Sequence, residues 1–292
     1  MPGNSITPLP FVEGSLSYLI RMADKPRNVT FEPPPGVSGT NARYERRTTR
    51  IHDMRPISET LALDREGFRL VSHHTAVSDL YDDAALRRVA YPEVERLVAA
   101  QTGADRIVVF DHTVRRRVPG ALDRMAGVPR QPSQTIHVDY SERSGPQRVR
   151  DLMGDEADAL LRQRFAIVNV WRPIRGPLRD APLAVCDATS VPSTDLVASD
   201  LVYAQRTGEN YTVTWRDSHR WFYAPDMRAD EALLLKCYDS ATDGRARFVP
   251  HTAFTDPTAP SDVLPRESIE FRTFAFYAGE AVDSAVDRGA GS

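Results

Sequence analysis

The sequence has few cysteines, and it lacks the segments that mark secretion or membrane insertion. Only Cys186 and Cys237 occur among the 292 residues, too few for a disulfide framework. The N-terminus shows no basic segment followed by an apolar one, and no stretch approaches the roughly 18 apolar residues of a membrane span. We therefore expect a cytoplasmic protein without a membrane partner, and we expect both cysteines, which lie in apolar stretches, to be buried.

Basic charge and several common catalytic motifs are also scarce. The formal net charge is −3 and the pI is about 6.2, so no basic excess would attract nucleic acid. The one basic run, Arg115 to Arg117, is interpreted as a solvated loop. The chain has no G-x-G-x-x-G, P-loop or G-x-S-x-G element, which argues against nucleotide-binding and serine-hydrolase classes. It also has no C-x-x-C pair for a structural zinc site.

The sequence instead contains many short stretches typical of β-strands. They alternate with Pro, Gly, Asp and Ser, and they lie at 106–116, 165–172, 182–187, 200–206, 211–215, 219–224, 232–239 and 267–277. Regular spacing of short strands favours a sandwich or barrel. The sequence predicts a mainly β fold with flanking helices, namely a double-stranded β-helix of the jelly-roll or cupin-like kind.

We expect one single domain over residues 1–292, divided into three parts. Residues 1–104 would form an extended and helical N-terminal cap, with a short amphipathic helix at 14–23 and a longer helix over 79–100. Residues 105–278 would form the jelly-roll core, and residues 279–292 a tail. The Pro- and Gly-containing segment 117–135 is a long loop, a type that often serves as a lid or binding loop.

One H-x-D pair stands out among the seven histidines, at His137 and Asp139. On a strand, residues i and i+2 point to the same side, so both side chains can reach one ion. Two histidines and one carboxylate on one face of an octahedron are typical of non-haem Fe(II) oxygenases, because three positions stay open. The third ligand would come from a later strand, and His251 in VPHTAF is the candidate.

Arginines on the last predicted strand are candidates for binding a carboxylate cosubstrate. Oxygenases with this metal set often bind 2-oxoglutarate, and an arginine fork suits its distal carboxylate. Arg266, Ser268 and Arg272 share one strand face by parity. Either arginine could hold the cosubstrate, and the other could bind substrate or pair with Glu270.

Several other side chains could contact a substrate or could equally belong to the core. Arg172 could clamp a carboxylate or fix the turn that follows it, and Lys236 must find a partner or a wet cavity if it is buried. The full set of candidate substrate residues is Asn169, Trp171, Arg172, Trp221, Lys236 and Tyr238.

Long segments of the chain resemble a known family. NVWRPIRGPLRDAPLAVCDATSV, HRWFYAPDMRADEALLLKCYDS, PHTAF and RESIEFR are similar to the hydroxylase/desaturases that include the gibberellin desaturases and the aspergillic-acid-cluster hydroxylase, related to the cephalosporin 7α-methoxylation proteins. PPPG, LDREGFRLVSHHTAVSDLYD, YPEVERLV and TGADRIVVFDHTVR extend the resemblance over nearly the whole chain. It implies a double-stranded β-helix with Fe(II) and 2-oxoglutarate, and it matches His137, Asp139 and His251 to the metal ligands.

The sequence thus predicts an Fe(II)- and 2-oxoglutarate-dependent dioxygenase. It would use O₂ to hydroxylate, desaturate or cyclise a small secondary metabolite or amino-acid derivative by C–H abstraction. Two alternatives remain: an Fe(II) oxidase that uses no 2-oxoglutarate, and a non-catalytic jelly-roll subunit of a two-component enzyme. A homodimer is a further expectation that no pattern in the sequence specifies.

Overall fold

The computed structural model describes residues 8–281, apart from 32–35, 37, 122 and 124–126. In this part of the chain the strands are β1 (Phe11–Leu19), β2 (Arg27–Val29), β3 (Tyr44–Asp53), β4 (Phe68–Ser72), β5 (Arg106–Arg116), β6 (His137–Val138), β7 (Gln163–Pro173), β8 (Leu183–Cys186), β9 (Leu196–Val202), β10 (Thr207–Val213), β11 (Trp221–Tyr223), β12 (Glu231–Asp239), β13 (His251–Ala253) and β14 (Glu267–Ala281). The α-helices are α1 (Asp83–Ala85), α2 (Tyr91–Thr102), α3 (Ser144–Met153) and α4 (Ala157–Leu161). A π-helical turn at Leu86–Ala90 joins α1 to α2.

The strands form two sheets, most of whose pairings are antiparallel. The larger sheet has the order β1-β3-β11-β8-β13-β6-β10-β9-β2, and the smaller has the order β4-β12-β7-β14-β5. One core cluster joins residues of both sheets, including Val185 and Phe222 of the larger and Phe165, Leu235 and Phe274 of the smaller. The predicted mainly β architecture with flanking helices is therefore confirmed.

The strand β14 runs through the smaller sheet between β7 and β5, and its two faces differ. Ile269, Phe271 and Ala275 pack in the cluster that contains Val94 and Val98 of α2. Ser268 and Arg272 alternate with them on the other face, as the period of two in a strand requires. This second face is turned toward the larger sheet and is polar over much of its length.

Some predicted elements are confirmed and others are wrong. The helical pattern over 79–100 corresponds to α1, the π-helical turn and α2. The helix expected at 14–23 is wrong, because residues 14–19 lie in β1 and pair with β3, and residues 20–23 are in neither a helix nor a strand. The burial of Val12, Gly14, Leu16 and Tyr18 alternates with exposure, so the segment has strand periodicity.

The predicted N-terminal cap contributes strands to both sheets: β1 to β3 belong to the larger sheet and β4 to the smaller. The last strand extends to Ala281, so it includes the first residues of the predicted tail. Residues 282–292 of that tail, like Pro33 to Pro35 of the PPPG segment, lie outside the described residues.

Both cysteines are buried and unpaired, as the sequence predicts. Cys186 and Cys237 are each 0% exposed, and both are free thiols. None of the helices in the described part of the chain has the length and apolar character needed to span a bilayer.

Gly67 has a backbone conformation and a packing environment that require glycine. Its φ is +88°, and an added methyl group would overlap Cγ2 of Val249. We expect Gly67→Ala to lower the free energy of unfolding by about 3 kcal/mol, as the sum of backbone strain and overpacking. Denaturant unfolding measures this change.

Gly103→Ala is the matched control for Gly67→Ala. Gly103 also has a positive φ, +71°, but an added methyl group would meet nothing within 4 Å. Only the backbone strain remains, so we expect Gly103→Ala to lower the free energy of unfolding by about 1 kcal/mol. Equal losses for the two variants would contradict the packing argument.

Candidate metal centre

Three predicted ligands, His137, Asp139 and His251, meet at one point of the larger sheet. One ligand atom from each lies within 4.8 Å of the others. Oδ1 of Asp139 is 3.5 Å from Nε2 of His137 and 3.8 Å from Nε2 of His251. The two histidines are direct partners in the pairing of β13 with β6, and cross-strand partners bring their side chains to within contact distance.

Backbone carbonyls set the orientation of both imidazoles. Nδ1 of His137 is 2.8 Å from the carbonyl oxygen of Thr135, and Nδ1 of His251 is 3.0 Å from that of Val249. An Nδ1–H that donates to a carbonyl leaves Nε2 as the free lone pair, which is the tautomer a metal needs. Both Nε2 atoms are accordingly turned toward Asp139.

The protonation states also suit a metal ligand set. Burial, together with the neighbouring His251, lowers the pKa of His137 to about 4, so this imidazole is neutral near pH 7. Burial by itself would raise the pKa of Asp139, but the charge of Arg272 and the two histidines outweighs it and holds that pKa well below its usual range. A neutral imidazole and an ionised carboxylate are the forms that bind metal ions.

The smaller sheet holds the other oxygen of Asp139. Oδ2 accepts a hydrogen bond from Nδ2 of Asn169 at 2.8 Å and one from Nε of Arg272 at 3.4 Å. Asn169 and Arg272 are direct partners on β7 and β14. The larger sheet therefore carries the three candidate ligands, and the smaller sheet orients the carboxylate.

Arg272 is fully engaged by its neighbours. Its terminal nitrogens contact Oδ2 of Asp111 at 3.2 Å, Oγ1 of Thr113 at 2.9 Å and Oε1 of Glu270 at 2.5 Å. With Nε on Asp139, Nε and Nη1 donate hydrogen bonds and Nη2 forms an ion pair with Glu270. The fork of Arg272 is therefore not open to a further carboxylate.

Arg266 is buried in a different environment, near the start of β14. It is 2% exposed, its Nε donates to Oγ of Ser268 at 2.9 Å, and its Nη1 donates to the carbonyl oxygen of Ala181 at 2.8 Å. Its guanidinium lies 4.9 Å above the ring of Trp171. Burial and the nearby charge of Arg115 lower the pKa of Arg266 to about 9.

Arg115 on β5 completes this basic group. It is the direct partner of Ser268 on β14, and its Nη1 donates to the carbonyl oxygen of Gln131 at 2.7 Å. Burial lowers its pKa below the usual arginine value. The interpretation of Arg115 as a solvated loop residue is wrong, because Arg115 lies inside β5 and is half-buried.

A cavity of about 1170 Å³ opens beside the metal centre. His137, Asp139, Arg115 and Arg272 line it. Its other walls come from the β2–β3 region, α3, β9, β10 and the loop 117–135, including Arg117, Arg130 and Gln131. The described part of that loop therefore borders the cavity, in agreement with its interpretation as a binding loop.

None of the six predicted substrate residues lines this cavity. Four of them make their contacts elsewhere in the fold. Lys236 is 1% exposed and pairs with Asp64 at 2.5 Å and Asp239 at 2.8 Å, so its charge is compensated within the core. Arg172 faces the outer side of the smaller sheet, where it contacts His73 and donates to the carbonyl oxygen of Ala229.

The two aromatic candidates of this group are core residues. The ring of Tyr238 stacks on Phe165 with centroids 5.0 Å apart. Trp221 is 0% exposed and donates its indole N–H to the hydroxyl of Tyr18 at 2.7 Å. Alternation along a strand does not tell a cavity face from a core face, which is why the sequence left both interpretations open for these residues.

Several cavity residues were not predicted. Asp111, Thr113 and Arg115 lie two residues apart on β5 and are paired with Arg272, Glu270 and Ser268 on β14. Tyr140 follows Asp139 and also lines the cavity. The polar period-two pattern Asp111-x-Thr113-x-Arg115 was visible in the sequence, and it indicated a strand with one polar face.

Comparison with known proteins agrees with this geometry. Residues 16–276 match the family described as Oxidoreductase/YMDC permease-like domain. The hydroxylase/desaturase efuI of Hormonema carpetanum is 32% identical, covering 92% of this chain and 96% of its own. The Fe(II)/2-oxoglutarate-dependent dioxygenase nvfI of Aspergillus novofumigatus is 31% identical, covering 84% of this chain and 88% of its own. A solved structure of the iron and alpha-ketoglutarate-dependent endoperoxidase NvfI superposes with a TM-score of 0.81 at 29% identity, covering 91% of this chain and 98% of that one.

The fold and the site together define a jelly-roll, or double-stranded β-helix, oxygenase with a two-histidine, one-carboxylate centre. The chain belongs to the family of hydroxylase/desaturases and Fe(II)/2-oxoglutarate-dependent dioxygenases to which these relatives belong. The predicted fold, family, enzyme class and cofactor set of Fe(II), 2-oxoglutarate and O₂ are confirmed at the level of this family. The oxidase without 2-oxoglutarate and the non-catalytic subunit are not favoured.

A divalent ion should stabilise the folded chain through the three candidate ligands. A ligand at about 100 times its Kd adds about 2.7 kcal/mol to the free energy of unfolding. We expect Mn(II) to raise the Tm of the wild type and to leave the Tm of His251→Ala unchanged, as measured by calorimetry. His219→Ala is the control, because this buried histidine contacts Asp195 and not the centre. If Mn(II) raised the Tm of His251→Ala as much as that of the wild type, this would contradict the assignment of His251 as a metal ligand.

Proposed function

We propose that the chain is an Fe(II)- and 2-oxoglutarate-dependent dioxygenase in which His137, Asp139 and His251 bind the iron. The observation that carries this proposal is the convergence of two Nε2 atoms and one carboxylate oxygen within 4.8 Å. This donor set on one face of an octahedron suits Fe(II) and leaves three positions for cosubstrate and O₂. When bound, iron with 2-oxoglutarate and O₂ supplies the oxidant for an unactivated C–H bond.

Arg266 and Ser268, supported by Arg115, are the residues we assign to the distal carboxylate of 2-oxoglutarate. Arg266 and Arg115 each have a lowered pKa and no carboxylate within ion-pair distance among the described residues. A buried cation beside a half-buried one is unfavourable until an anion joins them. Arg272, by contrast, already has its acceptors, so it is a poor candidate for the cosubstrate.

Asn169 and Trp171 also fit roles near the cosubstrate better than roles at the substrate. Asn169 donates to Asp139, and Trp171 covers the guanidinium of Arg266. Their side chains lie on the polar face of the smaller sheet, and neither borders the cavity directly. We therefore assign the substrate to the cavity wall formed by the loop 117–135, α3 and β10.

The substrate we propose is a small molecule of secondary metabolism. The cavity size suits a multi-ring compound, and the relatives carry names of hydroxylase/desaturases and of an endoperoxidase. The protein groups hold the substrate beside the iron and limit the access of water. Whether hydroxylation, desaturation or ring closure results depends on how the substrate lies against the centre.

The remaining proposals concern compartment, assembly and domain organisation. Two buried free thiols support a reducing cytoplasm. A homodimer and the division into a cap at 1–104, a core at 105–278 and a tail at 279–292 stay predictions. Light scattering tests the homodimer, and limited proteolysis tests the domain division.

An anaerobic titration tests the proposed function. Adding Fe(II) and 2-oxoglutarate to the wild type should give the weak visible metal-to-ligand charge-transfer band, because the keto acid chelates the iron. His137→Ala should lack the band, since one ligand is lost. Iron binding without a band would point to an oxidase independent of 2-oxoglutarate, and no iron binding would contradict the metal site.

Arg266→Lys tests the cosubstrate assignment. Lysine keeps the charge but loses the fork, so we expect the Kd of 2-oxoglutarate on the Fe(II)-loaded protein to rise about ten-fold or more. The charge-transfer band measures the Kd. Arg143→Lys is the control, because this side chain lies at the cavity rim and is 65% exposed. If Arg272→Lys raised the Kd of 2-oxoglutarate and Arg266→Lys did not, Arg272 would be the residue that binds the distal carboxylate.

A further inference from the structure

The two oxygens of Asp139 have different environments. Oδ1 lies 3.5 Å and 3.8 Å from the Nε2 atoms of His137 and His251. Oδ2 faces the smaller sheet and takes the hydrogen bonds of Asn169 at 2.8 Å and Arg272 at 3.4 Å. The carboxylate is thereby oriented with one oxygen toward the candidate metal position and the other away from it.

Fold stability does not account for an amide at position 169. Asn169 is 0% exposed, and its direct partners on the neighbouring strands are Leu235 and Arg272. Its Oδ1 has no hydrogen-bond partner among the described residues. A buried polar atom without a partner costs about 1 to 3 kcal/mol, so an aliphatic side chain would suit this position better. The contact that the amide does make is the one from Nδ2 to Asp139.

Arg272 is held so that its Nε has a fixed direction. Its terminal nitrogens contact Asp111, Thr113 and Glu270, and the side chain is 14% exposed. A guanidinium anchored at its far end cannot turn away from Asp139 without breaking the hydrogen bonds to Asp111 and Thr113 and the ion pair with Glu270. Both donors to Oδ2 therefore belong to the rigid centre of the smaller sheet.

We propose that Asn169 and Arg272 are positioning residues that keep Asp139 a one-oxygen ligand of the iron. The inference rests on the proposed metal site. A carboxylate can bind a metal ion with one oxygen or with both. With Oδ2 engaged, Asp139 offers Oδ1 alone, so three of six positions stay open for a chelating cosubstrate and O₂. Two-oxygen binding would leave only two.

Metal affinity and stability together test this role, and neither depends on turnover. Asn169→Leu removes the donor and keeps the size of the side chain. We expect its Kd for Co(II), measured by calorimetry, to rise about ten- to a hundred-fold, as is usual when a residue that orients a ligand is lost. We also expect the visible spectrum of bound Co(II) to change, and the Tm of the metal-free protein to be equal to or above that of the wild type.

Thr273→Val is the matched control. Thr273 follows Arg272 on β14 and is 0% exposed. Its hydroxyl donates to the carbonyl oxygen of Val168 at 2.8 Å and does not contact Asp139. Its loss removes one buried hydrogen bond from the same sheet. The Kd and spectrum of Co(II) should match the wild type in this variant.

The outcomes separate this inference from the proposed function. Wild-type Co(II) affinity and spectrum in both Asn169→Leu and the smaller Asn169→Ala would overturn the positioning role and leave the metal site intact. Asn169→Ala cannot clash, so it also gives the measurement if Asn169→Leu fails to fold. A wild type that does not bind Co(II) would overturn the proposed metal site itself, and the inference with it.

Discussion

The carboxylate of Asp139 links the two sheets of this protein through hydrogen bonds. It follows β6 of the larger sheet, yet its Oδ2 is bound by Asn169 and Arg272 of the smaller one. The candidate metal site therefore exists only when the sheets are packed in register, because its ligands come from one sheet and their orientation from the other. A shift of one residue in β14 would turn Arg272 out of the site.

The charges on the polar face of the smaller sheet balance as a set. Arg272 is surrounded by the carboxylates of Asp139, Glu270 and Asp111, while the buried Arg266 and the half-buried Arg115 lie near the start of β14. Three cations thus accompany three carboxylates, but their distribution is uneven: negative charge collects near the candidate metal position, and positive charge collects near the start of β14. A divalent cation at the first and a dicarboxylate reaching the second would correct this separation. The arrangement gives an electrostatic reason why iron and 2-oxoglutarate would bind together at the proposed site.

The convergence of His137, Asp139 and His251 could be predicted from the sequence because its signal is local and chemically restrictive. His137 and Asp139 have the spacing of one strand face, and few histidines compete for the third position. The role of Asn169 could not be predicted, since its partner lies 30 residues away and is reached only through the packing of two sheets. Lys236 was misleading because its two partners could not be recognised as such: Asp239 is only three residues away, while Asp64 is 172 residues distant in sequence. The helix expected at 14–23 was wrong for a different reason. A short segment can fit both the helical and the strand periodicity, and only its pairing with β3 makes it a strand.

The identity of the substrate is harder to predict from the sequence than the candidate metal site, because different parts of the chain form the substrate cavity and the metal site. The metal site uses paired strands in the middle of the sheets, where register and burial restrict every side chain. The cavity wall combines Asn28 and Tyr44 near the N-terminus with the loop 117–135 and with Tyr203 and Arg206 between β9 and β10. Residues of this wall make few of the hydrogen bonds that hold Asp139, so they can change without disturbing the ligands. Substrate preference can therefore vary within such a fold while the oxidative centre stays the same.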